Sequence, residues 1–172
     1  MKNVVLAGFM GTGKTAVGRA LAKRLKMRFI DMDDVIEARE RMKISEIFEK
    51  KGEPHFRRAE KMTAKDIAVQ SGLVVAAGGG AIIDEDNLRN FKSNGVIFCL
   101  TATPDKILER TKGHIHRPLL NVSDPKEKIA ELLAKRAQYY ARADYRVDTT
   151  DLSVNEVVDK IAQHLKVVER LK

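Results

Sequence analysis

Apolar runs of strand length alternate along the chain with longer segments whose apolar residues recur every three or four positions. Residues 3–7 predict a β-strand, and residues 14–26 a helix with Val17, Leu21 and Leu25 on one stripe. A short strand is predicted over 28–31 and helix over 34–51, in one or two pieces. Gly52-Glu53-Pro54 interrupts the pattern and starts another helix, which runs to about residue 70. Residues 73–77 and 96–100 are nearly all apolar, as strands buried on both faces should be. Helices are predicted over 85–92, 104–112 and 125–140, and a last strand over 145–148. Ser153-Val154-Asn155-Glu156 has the capping-box pattern and opens a final helix with Val157, Ile161 and Leu165 on one face. Five strands separated by helices predict an α/β fold, a parallel sheet with helices on both sides. Since no repeat, low-complexity segment or linker interrupts this order, one domain over residues 1–172 is expected.

The clearest chemistry lies between the first strand and the first helix. Gly8-Phe9-Met10-Gly11-Thr12-Gly13-Lys14-Thr15 matches G-x-x-x-x-G-K-[ST] in full and in the required strand–loop–helix setting. Its glycines let the backbone wrap phosphates and present N–H groups at the positive end of a helix. Lys14 is positioned to reach the β- and γ-phosphates, and the Thr15 hydroxyl to ligate Mg²⁺. This identifies the nucleotide class and no more.

Three further elements discriminate among phosphate-loop proteins. Asp31-Met32-Asp33 follows the second apolar run. In extended backbone, residues two apart share a face, so both carboxylates would point into one cleft, one supporting the metal and one taking the proton of an attacking hydroxyl. The competing reading is a pair of solvated acids at the start of the next helix; the neighbouring phosphate loop favours the first. Arg57 and Glu60 stand three apart in a helix, where the acid can fix the guanidinium. Gly78-Gly79-Gly80 follows an all-apolar strand and allows close approach of a ligand at its carboxyl end. A polar stretch, residues 111–121, carries His114, His116 and Arg117; a cation there could close over the nucleotide. The two histidines, with no third ligand nearby, are poor evidence of a metal site.

Composition narrows the classes. With 44% hydrophobic and 33% charged residues, the chain is neither a disordered tail nor a membrane protein, and no apolar run approaches the roughly 20 residues that span a bilayer. Lys2 and the apolar residues 4–10 faintly resemble a signal peptide, but Gly11-Thr12-Gly13-Lys14 stands where a cleavage site would be, so a cytoplasmic location is expected. The single cysteine, Cys99, sits in an apolar run as a core residue. A formal charge of +8 fits either nucleic acid or small anionic substrates. Basic residues are spread among acids and aromatics are only 5%, which favours small anions over nucleic acid.

Taken together, these motifs make the chain similar to the shikimate kinase family along nearly its whole length. Gly8 to Thr15 resembles that family's phosphate loop, Asp31-Met32-Asp33 its D-x-D, and Gly52 to Glu60 its G-E-x-x-F-R-x-x-E element. Gly78-Gly79-Gly80 resembles its triple glycine, Arg117-Pro118-Leu119-Leu120 its lid, and Arg136 with Tyr139 and Tyr140 its R-x-x-x-Y motif. The resemblance implies a three-layer P-loop NTPase sandwich like that of nucleoside monophosphate kinases, with a parallel sheet of order 2-3-1-4-5 and a lid over about residues 112–124. It implies that ATP phosphorylates the 3-hydroxyl of shikimate, a step toward chorismate and the aromatic amino acids. It places shikimate against Asp33, Arg57, Gly79 and Arg136, with Asp33 as base. ATP lies on Gly11, Thr12, Gly13, Lys14, Thr15 and Ala16, with Arg110 near adenine and Arg117 on the γ-phosphate; Lys14, Asp33 and Arg117 are the catalytic set. Mg²⁺ is the implied cofactor, near Thr15 and Asp31. A monomer binding neither nucleic acid nor membrane is expected.

Two departures stand against the family pattern. The chain is one residue shorter between Tyr140 and Ala143-Asp144, so Lys135 competes with Arg136 for the late cation. The loop at 148–153 lacks the basic and proline residues some members place near adenine. The rivals are another small-molecule kinase, such as one resembling gluconate kinase, and a nucleotide-dependent module bound to RNA. An uncharged acceptor would not need Arg57 and Arg136 together, and an RNA module would bind nucleotide without acceptor-dependent turnover.

Overall fold

The computed structural model describes residues 2–112 and 123–170. Strand β1 (Asn3–Gly8) is buried at every position, which only a central strand covered on both faces can be. Around it, β2 (Arg28–Asp31), β3 (Leu73–Ala76), β4 (Gly95–Thr101) and β5 (Tyr145–Asp148) complete a sheet of order β2-β3-β1-β4-β5. All pairings are parallel, with Val4 between Val74 and Val96. The expected order 2-3-1-4-5 is the observed one.

The two-residue period of β1 sorts the core into two layers. Val4 and Leu6 face helices α1 (Lys14–Leu25) and α8 (Val154–Arg170) through Val17, Leu21, Val157 and Ile161. Val5 and Ala7 face α4 (Glu53–Ala68), α5 (Glu85–Ser93), α6 (Pro104–Thr111) and α7 (Pro125–Tyr140) through Ile67, Phe91, Ile107 and Ile129. Ser153 and Glu156 close the predicted capping box, each bonding the other's backbone N–H.

The predicted 34–51 helix is two, α2 (Met32–Glu40) and α3 (Ile44–Lys51), separated where Arg41 turns left-handed at φ 52°. With α4 they enclose a satellite core of Ile36, Ile47 and Phe56. This small core belongs to neither main layer. An unpredicted 3₁₀ turn, Ala81–Ile83, follows the triple glycine. Among the described residues, no helix is long and apolar enough to cross a membrane.

Candidate active site

The carboxyl ends of β1, β2 and β3 open onto one cleft, the usual ligand position in such sheets. In the phosphate loop, Gly8, Gly11 and Gly13 have φ of 132°, 75° and 94°, a backbone that glycine adopts without strain. A Cβ on Gly8 would lie 2.2 Å from the Leu100 carbonyl oxygen, so the first glycine is also required by space. Thr12, fully buried, donates its hydroxyl to the Phe9 carbonyl at 2.7 Å. Lys14 Nζ donates to the carbonyls of Gly8 and Phe9, both at 2.9 Å, which holds the ammonium along the loop. Thr15 and Ala16 lie exposed in the first turn of α1.

Asp31 and Asp33 reach the cleft by a route the extended-strand argument did not foresee. Asp31 ends β2, and α2 begins at the next residue, so Met32 points into the core and Asp33 sits in the first helical turn. Asp31 Oδ1 accepts from the Asp33 N–H at 3.1 Å and caps the helix; its Oδ2 accepts from the Thr15 hydroxyl at 2.9 Å. Asp31 is therefore both a helix cap and a hydrogen-bond partner of the phosphate loop. Burial raises the Asp33 carboxyl from 3.8 to about 6; Asp31, Glu60 and Glu37 push the same way and Lys14 opposes them.

The triple glycine is where the site converges, and the reason is room for side chains. A Cβ on Gly78 would stand 2.9 Å from Glu60 Oε1 and 3.3 Å from Asp33 Oδ1. On Gly80 it would meet Arg57 Nη1 at 2.9 Å, and on Gly79 it would lie 3.7 Å from Arg136 Nη1 and 3.6 Å from the Gly8 carbonyl. Three successive residues thus back the carboxylate, one guanidinium and the other.

Arg57 is held by Glu60 at 2.9 Å and by Glu53 at 3.0 Å. Burial raises the Glu60 carboxyl although the Arg57 guanidinium pulls it down. Arg136 donates to the Gly79 carbonyl at 3.3 Å, and its guanidinium lies 5.4 Å from the Phe9 ring centroid. Lys135 instead pairs with Glu131 and is 66% exposed. The geometry therefore brings Arg136, not Lys135, to the cleft. Arg110 ties the phosphate loop to the loop after β5, bonding the Thr149 hydroxyl at 3.0 Å, the Thr149 carbonyl at 2.7 Å and the Gly11 carbonyl at 3.4 Å. Arg117, His114, His116 and most of the expected lid lie outside the described residues.

A family model described as shikimate kinase matches residues 10–166. The chain belongs to the shikimate kinase family. It is accordingly an ATP-using kinase that phosphorylates shikimate. The shikimate kinase of Thermodesulfovibrio yellowstonii is 48% identical over 99% of this chain and 97% of its own. That of Thermoanaerobacter pseudethanolicus is 42% identical over 100% and 99%. Among solved structures, the shikimate kinase of Acinetobacter baumannii in complex with shikimate superposes with a TM-score of 0.93 at 37% identity, covering 100% of this chain and 96% of that one. The Aquifex aeolicus enzyme superposes at 0.81 with 33% identity, covering 97% and 98%.

Sequence reasoning gave no separate role to three neighbours of this kinase site, although Glu53 and Tyr140 lie within motifs it had quoted. Glu53 is one helical turn before Arg57, and that i,i+4 spacing was a usable signal. Tyr140 donates its hydroxyl to the Gly79 carbonyl at 2.7 Å. Thr149, buried, places its hydroxyl 3.2 Å from the Thr12 carbonyl and 3.0 Å from the Thr101 carbonyl. The partners of Tyr140 and Thr149 lie 39 to 137 residues away, so no local pattern reports them.

Proposed function

We propose that the chain transfers the γ-phosphoryl group of ATP to the 3-hydroxyl of shikimate, with the phosphate loop on ATP and the triple-glycine cleft on the acceptor. The observation that carries this reading is the backing of Asp33, Arg136 and Arg57 by three consecutive glycines, one of which also touches the phosphate loop. A carboxylate for a hydroxyl proton and two guanidinium groups for an acid match a hydroxy-acid acceptor better than a neutral polyol.

In this arrangement Arg57 and Arg136 hold the acceptor's carboxylate by paired, charge-assisted hydrogen bonds. Asp33 accepts the proton of the attacking hydroxyl, and its raised affinity for a proton suits that task near neutral pH. Lys14 stabilises charge on the transferring phosphoryl group and Arg117 joins it from the lid at 112–124. Gly11, Thr12, Gly13, Thr15 and Ala16 cradle the phosphates, and Arg110 lies along the nucleoside. The Thr15 hydroxyl and Asp31 carboxylate, 2.9 Å apart, are hard oxygen donors of the kind Mg²⁺ takes when phosphates and waters complete its shell. Bound there, Mg²⁺ would neutralise phosphate charge. The protein works as one domain and a cytoplasmic monomer, without nucleic acid or membrane.

A coupled ADP-release assay tests the reading. Release is expected with ATP, Mg²⁺ and shikimate together and not without shikimate. Equal phosphorylation of shikimate and its methyl ester would overturn the acid-specific cleft and favour a polyol kinase. RNA binding that competes with shikimate would overturn the assignment of the positive charge to small anions.

A further inference from the structure

The peptide that joins Gly79 to Gly80 is held differently from those on either side. The Gly78 carbonyl accepts from the Ala81 N–H and the Gly80 carbonyl from the Ile83 N–H, both at 3.0 Å, so those two oxygens are satisfied within the local turn. The Gly79 carbonyl takes its donors from α7, 57 and 61 residues away: Arg136 Nη1 at 3.3 Å and the Tyr140 hydroxyl at 2.7 Å. The Arg136 guanidinium stands beside the phenol, and its charge partly offsets the effect of burial on that group. Phenol and guanidinium thus meet at one carbonyl oxygen. Tyr140 is buried, its ring packed into the layer under α7.

We infer that Tyr140 is a positioning residue for the acceptor, acting through both the Gly79–Gly80 peptide and the Arg136 guanidinium. The peptide is planar and trans, so fixing the Gly79 oxygen fixes the Gly80 N–H on the opposite edge. The shorter phenol bond is the stronger of the carbonyl's two. It relieves Arg136 of being the sole donor to that oxygen and leaves its fork for the acceptor's carboxylate. Burial holds the phenol's proton more tightly than usual, so it remains a donor across the working pH range. Without the hydroxyl, the carbonyl draws the guanidinium toward itself and the peptide rocks. The inference rests on the acceptor cleft proposed above.

Tyr140→Phe keeps the ring and its packing, and removes only the hydroxyl. The expected result is a rise of about 3- to 10-fold in the KM for shikimate, with the KM for ATP unchanged. Arg136→Ala and the double variant complete a cycle. If Tyr140 acts through Arg136, the double variant should show markedly less than the product of the two single effects. An ordinary packing role would instead lower thermal stability and leave the shikimate KM of the folded enzyme alone. Unchanged KM values in Tyr140→Phe overturn the inference whatever Arg136→Ala does; so does an equal rise in both KM values. A rise for shikimate in Tyr140→Phe with none in Arg136→Ala would remove Arg136 from the acceptor site and overturn the proposed route through it.

Discussion

Replacing Asp33 by Asn should leave an enzyme that is more stable and nearly inactive. In the folded protein, burial and the neighbouring carboxylates of Asp31, Glu60 and Glu37 raise the Asp33 carboxyl from its ordinary 3.8 to about 6. A shift of about two units corresponds to about 3 kcal/mol of differential interaction between the two protonation states. Well below pH 3.8 the group is neutral in both folded and unfolded chains, and no penalty is felt. Between about pH 4 and 6 the unfolded chain releases the proton while the folded one keeps it, so this group's contribution turns against folding as pH rises. Above about pH 6 the folded protein carries the full cost of an ionised, buried carboxylate, and retains it as pH rises further.

The amide that replaces the carboxyl in Asp33→Asn does not titrate, so the stability difference between variant and wild type should grow with pH. Urea denaturation at about pH 4 and about pH 7.5 measures that difference while effects common to both proteins cancel. The expected gain at the higher pH is up to about 3 kcal/mol over the low-pH value, or about 6–12 °C in Tm for a chain of this size. Turnover at that pH should fall strongly with the ATP KM nearly unchanged, because an amide cannot take the hydroxyl proton. A pH-independent difference, or a variant relatively less stable at the higher pH than at the lower, would refute the account of Asp33 as a carboxylate held at a cost for its function.

Other residues give sharper spatial tests. Gly80→Ala should fold, since its φ of −109° suits alanine, but the new methyl lies 2.9 Å from Arg57 Nη1. Its shikimate KM should rise roughly tenfold, with the ATP KM preserved; unchanged acceptor kinetics would refute the spatial role of this glycine. Arg136→Ala should raise the shikimate KM about ten- to a hundredfold while Lys135→Ala does little. The reverse result would return the late cation to Lys135. Thr149→Val removes a buried hydroxyl shared by the phosphate loop, β4 and Arg110. It should raise the ATP KM several-fold, spare that of shikimate, and be rescued by Thr149→Ser; an acceptor-specific loss would count against the assignment of that hub to the nucleotide.

The fold was legible because each strand is short, apolar and bounded by amphipathic helices, and parallel strands covered on both faces need that pattern. The phosphate loop was legible for a different reason: its function is carried by backbone, so the glycine positions state the geometry directly. The D-x-D motif shows the limit. Period-two reasoning put both carboxylates in one cleft, yet β2 ends at Asp31, whose side chain caps the helix that begins at Met32. Asp33 reaches the cleft from that first turn. Which rule applied depended on one helix start, and an Asp before an apolar residue is itself a start signal.

The choice between Lys135 and Arg136 was closer to hand than a motif alignment suggests. Ile129, Leu133, Arg136 and Tyr140 recur at helical spacing, and Ile129 and Tyr140 are buried while Leu133 packs against the same core. Arg136 lies on that inward stripe; Lys135, one residue and about 100° away, pairs with Glu131 on the outer side. The role of the triple glycine was hidden, because it depends on side chains drawn from α2, α4 and α7. A strand-end glycine run can also be a flexible turn. Only its neighbours show that the missing Cβ atoms make room for a carboxylate and two guanidinium groups. The proposed ATP half of this kinase is therefore written in local sequence, and the proposed acceptor half in packing between distant elements. Substitutions in the second half should accordingly change acceptor choice while the phosphate loop, and the use of ATP, stay intact.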